Sequence, residues 1–162
     1  MKGVPPGRMT IGMSLAGLEA LRERCHLRIE VLVLQRAFLH RSYVHEHADH
    51  LESNDRLEFL GDAVIELVVR EHLFRQHPTH SEGALTQRKA AIVSDDRLAD
   101  NARTLGLDRC LFLGKGEEET GGRNRDSILA AAFEALTAVV FLHEGHERTR
   151  DFLLEHLHLD PA

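Results

Sequence analysis

The stretch NDRLEFLGDAVIELVV, Asn54 to Val69, decides the fold class. Read at about 100° per residue, its pattern is helical. Leu57, Leu60, Val64, Leu67 and Val68 gather into one apolar stripe that requires a core. Asp55, Glu58, Asp62 and Glu66 gather on the far side. Acids three and four residues apart sit within about 6 Å and repel, which destabilises the helix unless positive charge enters. A divalent cation such as Mg2+ answers that need, because hard cations take carboxylate oxygens. A solvated acidic face is the plainer reading, and two residues tilt against it. Phe59 lies beside the acids, where a purely solvent-facing helix would not place a ring. Gly61 sits mid-helix at a cost of about 1 kcal/mol relative to Ala, which implies a backbone or partner in close approach.

Working outward, 162 residues suit one domain, with enough apolar content for a core. Cys25 and Cys110 fit no metal or redox spacing and read as reduced thiols in a cytoplasmic protein. Residues 1–13 read as a loose, flexible arm with no signal-peptide run. Ile128 to Leu142 is too short for a membrane span of about 20 residues and carries Glu134. The formal charge of −6, from 20 basic and 26 acidic residues, argues alone against a nucleic-acid partner. Acids clustered on a metal would weaken that argument. His45, His47 and His50 resemble a metal cluster in composition, but so polar a stretch is expected to be solvent-exposed.

Little in the chain suggests strands, so the fold class is all-α, a helical bundle. Helices are expected over Ser14 to Arg24, from Glu30 to about Arg36, and from Asn54 to about Arg75, stopped by Pro78. Ser81 caps a further helix that runs on through Leu98 to Leu105-Gly106. Residues 41–53 and 114–125 read as loops. Ser127 to Leu142 is a strongly apolar, buried helix, followed by a last amphipathic one from Glu147 to Leu157.

Glu134 is the lone charge between Ile128 and Leu142. A buried carboxylate is costly unless paired, protonated or metal-bound. Arg56 or Arg88 could pair with it. The sharper reading joins it to Glu58 and Asp62 in one carboxylate cluster from two helices. Oxygen ligands without His or Cys suit Mg2+ or Mn2+, and such a site activates water for attack on phosphorus. A di-iron bundle would need paired Glu-x-x-His motifs among the clustered acids; Glu23 to His26 has that spacing but lies in a different helix, so this reading is set aside.

HRSY at 40–43 and NDRLEFLGDAV at 54–64 resemble the ribonuclease III signature. LTQRKAAIVS at 85–94, LGKGEEETGGRNRDSILA at 113–130 and AFEAL at 132–136 are similar to the rest of that catalytic domain, in order. The resemblance implies a homodimeric endonuclease-domain fold over residues 14–158. It also implies Mg2+-dependent hydrolysis of double-stranded RNA to 5′-phosphate and 3′-hydroxyl ends, in rRNA and mRNA precursor processing. By the same resemblance, Glu58, Asp62 and Glu134 bind metal, Asp62 and Glu134 matter most in catalysis, and Asp55 lies near the scissile strand. Phe59 plugs a socket in the partner subunit, and Glu82 shapes the RNA-binding valley. Gln87, Arg88, Lys89, Arg97 and the segment from Lys115 to Arg125 are candidates for contacts along an A-form minor groove.

Two departures matter. The family pattern has an Asp one turn before Glu134, and this chain has Ala131. One metal-binding carboxylate is missing, so impaired catalysis is expected. An engineered replacement is favoured over a naturally weakened enzyme, since the other motifs are intact. The chain also stops where a linker to a double-stranded-RNA-binding domain would begin, so weak, salt-sensitive RNA affinity is expected. The competing class is a non-catalytic RNA-binding or scaffold module of the same fold.

Overall fold

The computed structural model describes residues 6–47 and 51–159, with side chains from Ser14 onward. Among the described residues eight α-helices run α1 Pro6–Arg24, α2 Val31–Gln35, α3 Arg41–His47, α4 Asp55–Gln76, α5 Glu82–Ile92, α6 Asp95–Thr104, α7 Lys115–Glu119 and α8 Asp126–His156. No strand occurs among the described residues; the nearest thing is one parallel bridge between Leu39 and Phe112. The fold is all-α.

The core forms where α4 crosses α8, the most extensive helix pairing in the molecule. Phe38, Phe112, Phe133 and Phe152 are fully buried there and beneath the flanking helices. Gly61 lies at the crossing. A Cβ added to it would sit 1.8 Å from the Glu134 carbonyl oxygen, so only glycine lets the backbones meet. The mid-helix glycine thus marks a close approach, from α8 of the same chain. The apolar stripe is rotated relative to the sequence reading. Val64, Ile65, Val68 and Val69 are buried, whereas Leu67, expected inside, is 55% exposed.

Several expected boundaries change. The arm expected over residues 1–13 is helical from Pro6, and residues 1–5 lie outside the described part. Proline suits the first helical position, where its missing N–H has no intrahelical partner anyway. The loop expected over 41–53 opens instead with α3. There the Ser42 N–H donates to His40 Nδ1 at 3.2 Å, and the Tyr43 and Val44 amides donate to the His40 carbonyl. Tyr43 anchors α3 by stacking on His47 and meeting Phe112 edge-on. His45 and His47 are exposed as expected, while His50 lies outside the described residues.

The helix expected from Ser81 to Leu105 is two helices. Ser81 Oγ does accept the Ala84 N–H at 3.3 Å. Ser94, however, has extended backbone (φ −65°, ψ 150°) and begins α6, with Asp95 and Asp96 favourably placed in its first turn. The 114–125 loop contains α7. Ser42 Oγ accepts the Gly114 N–H, and Glu46 Oε2 accepts the Lys115 N–H, so α3 holds the start of α7. The two-helix reading of the C-terminal stretch corresponds to a break inside α8 at Gly145, whose φ of 80° and ψ of 177° are non-helical. The whole of α8 is long and apolar enough to cross a membrane by composition, but most of it is buried inside the protein.

Candidate active site

Glu58 and Asp62 project from successive turns of α4, and Glu134 comes from α8 where that helix crosses it. Between Ile128 and Val140, α8 is buried throughout except at Ala131 and Glu134, one turn apart. That face is where the core opens toward the acids. The Glu134 carboxyl is pushed up to about 8, first by burial and then by the charges of Asp62, Glu58 and Asp95. Glu58 is also raised, by burial and then by Asp55, against a lowering from Arg41, with Asp95 and Asp62 adding to the rise. Neither Arg56 nor Arg88 pairs with Glu134, and among the described residues no cation balances it. The bland explanation for its burial therefore falls.

The remaining acids have other partners. Asp55 faces Arg41 at 3.3 Å on the surface. Glu66, part of the acidic stripe in sequence, leaves the cluster. Burial works to raise its carboxyl, but hydrogen bonds from Lys89 at 2.6 Å and Arg70 at 2.7 Å outweigh that and hold it below the usual range. Asp95 joins the cluster instead. Periodicity does not mark the helix break at Val93-Ser94 that brings it there, and the sequence cue is a serine followed by two acids.

The donors present are all carboxylate oxygens, with negative charge in excess of the one nearby cation, Arg41. That chemistry fits a hard divalent cation. The side chains are not drawn together around a point, because no group of three or more His, Cys, Asp or Glu among the described residues is close enough to hold a metal. Ala131, on the same face as Glu134, adds no oxygen.

The residues named for RNA contact divide. Gln87 is exposed and Arg88 and Arg97 are half-buried on α5 and α6. Glu82 is exposed and accepts from Thr86 Oγ1. Lys89 is committed to Glu66, with little of its side chain exposed. In the α7 region, Arg123 is an internal strap. Its guanidinium donates to both Glu118 carboxylate oxygens and to the Asp108 and Leu111 carbonyls. Arg125 pairs with Glu117. Phe59 stands 83% exposed beside the acids.

A model of ribonuclease-III-like domains matches residues 30–160, most of the chain. The chain belongs to the ribonuclease III family. Ribonuclease 3 of Desulforamulus reducens is 51% identical over 123 residues, covering 75% of this chain and 50% of that protein. Ribonuclease 3 of Thermobifida fusca is 45% identical over 149 residues, 92% of this chain and 61% of that protein. The nuclease domain of ribonuclease III from Campylobacter jejuni, described for structural flexibility in a region involved in dimer formation, superimposes with a TM-score of 0.79 at 33% identity. That match covers 85% of this chain and 94% of the other. The chain spans about half the length of the curated ribonuclease 3 relatives it matches.

Proposed function

We propose that this ribonuclease III domain is built for Mg2+-dependent hydrolysis of double-stranded RNA, leaving 5′-phosphate and 3′-hydroxyl ends. The supporting observation is the electrostatic meeting of Glu58 and Asp62 from α4 with Glu134 from α8, where Arg41 acts on Glu58 but no cation acts on Glu134. Glu58, Asp62 and Glu134 would hold the ion, and Mn2+ would substitute for Mg2+. A divalent cation there supplies Lewis-acid stabilisation of charge on phosphorus and an activated water.

The chain's own part is positional. Glu58 and Asp62 hold two carboxylates on adjacent turns, and the tight crossing at Gly61 brings the Glu134 backbone against that part of α4. Near neutral pH the Glu134 carboxyl keeps its proton until opposing charge arrives, so loading the site releases a proton. Asp55 lies at the edge of the cluster, toward the scissile strand. Glu82, Gln87, Arg88 and Arg97 line the route of the duplex; Lys89 acts through Glu66 rather than by free contact. The working form is a homodimer with Phe59 at the subunit interface, in the cytoplasm, acting on rRNA and mRNA precursors. Free, buried Cys25 and Cys110 suit a reducing compartment.

Ala131 leaves this chain short of one carboxylate, so its cleavage of a long RNA duplex is slow or absent and returns with Ala131→Asp. Equal rates for the two forms in Mg2+ would refute this. Ala131 equally favours a second reading, a non-catalytic RNA-binding or scaffold module. An Ala131→Asp protein that binds duplex RNA yet never cuts it, in Mg2+ or Mn2+, would select that reading.

A further inference from the structure

Of the residues HRSY at 40–43, three are tied to the body of the protein. The His40 backbone N–H donates to the Phe112 carbonyl, and His40 Nδ1 accepts the Ser42 N–H. Ser42 Oγ accepts the Gly114 N–H. Tyr43 meets Phe112 edge-on. Arg41 alone of the four is exposed. Its guanidinium crosses from α3 to the first turn of α4, where Nη2 stands 3.3 Å from Asp55 Oδ1. Glu58 lies in that same turn and feels the same cation. Arg41 is therefore a positive charge at the rim of the acids, mounted on a backbone that its neighbours hold still.

Arg22, Arg70 and Arg75 each pair with an acid three or four residues away in their own helix. Arg41 reaches across two elements for its partner, and its side chain is still 71% exposed. An exposed pair of this kind contributes about 0–1 kcal/mol, so a better anion displaces it easily. A phosphodiester is such an anion: it accepts two parallel N–H bonds from a planar guanidinium, a geometry that Lys cannot supply. The surroundings otherwise repel phosphate. Asp55, Asp62 and Asp95 act on Glu58, and Asp62 and Asp95 act on Glu134. A cation at the rim offsets part of that repulsion where an RNA strand would approach.

We propose that Arg41 contacts a backbone phosphate of the RNA at the rim of the acid cluster, with Asp55 holding its guanidinium until the duplex arrives. The proposal rests on the RNA reading above and adds a residue to it. Without RNA, the Arg41 charge competes with a divalent ion for the same carboxylates. Removing it therefore moves two affinities in opposite directions, which loss of a merely structural ion pair would not do.

The test uses Arg41→Ala and Arg41→Lys in the full chain, with Arg75→Ala as a control of equal charge change about 30 Å along α4 from Asp55. Binding of a short RNA duplex is measured in EDTA across a salt series, and binding of Mn2+ by calorimetry without RNA. Arg41→Ala should weaken RNA binding about 10-fold and reduce its salt slope by about one per protomer. The same variant should bind Mn2+ about 3-fold more tightly. Arg41→Lys should keep the Mn2+ affinity and recover RNA binding only in part. Arg75→Ala should leave both unchanged. If the unaltered chain binds RNA and Arg41→Ala binds it equally, Arg41 is an ordinary ion pair and the RNA reading stands. If both affinities fall together, or Arg75→Ala matches Arg41→Ala, the proposal is likewise overturned. If the unaltered chain binds no duplex even at low salt, the RNA reading fails with it.

Discussion

Glu134 is the residue on which the proposed chemistry turns, and its burial gives it a pH signature. Its carboxyl titrates near 8 in the folded protein against 4.5 for the free group. The folded state therefore binds more protons between those values. The stabilising contribution is complete below about pH 4.5 and is lost as pH rises through about 8. In EDTA, thermal stability should decline across that window, and Glu134→Gln should flatten the decline. An unchanged slope in the variant would mean that Glu134 is not the titrating group. Glu134 and Ala131 also show what a sequence can and cannot tell about a site. A lone charge in an apolar helix is legible without coordinates. Asp95 was not, since its approach to Glu58 and Glu134 depends on a helix break that periodicity does not mark.

At the scale of elements, the α4–α8 crossing sets the site geometry. Gly61→Ala drives a methyl into the Glu134 backbone, which cannot yield as a flexible side chain could. A loss of about 3 kcal/mol is expected from urea unfolding; a loss below measurement would show that the helices can part freely. The α7 region depends on Arg123, which satisfies two carbonyls and one carboxylate. Arg123→Ala should cost about 2 kcal/mol and raise hydrogen exchange in residues 114–125. Unchanged exchange there would contradict the strap. Long periodic helices such as α4 and α8 were readable because their apolar spacing extends over many turns. The short ones, α3 and α7, were not. They are held by distant partners, Phe112 for Tyr43 and Glu46 for Lys115, which local pattern does not reveal.

At the scale of the molecule, Phe59, Leu67 and Phe74 of α4 and Leu142 of α8 leave apolar surface exposed, and the proposed homodimer would cover Phe59. Phe59→Ala should loosen self-association; a mutant still fully dimeric at micromolar concentration would remove Phe59 from the interface. The −6 charge is likewise a property of the whole, and Glu58, Asp62, Asp95 and Glu134 concentrate part of it at the proposed ion site. Everything rests on carboxylates of α4 and α8 jointly holding that ion. The most direct measurement is calorimetric titration of Mn2+ into Ala131→Asp protein, with and without Glu134→Gln. The expected result is tight binding, with proton release, that Glu134→Gln largely abolishes. Binding that is indifferent to Glu134→Gln would contradict it.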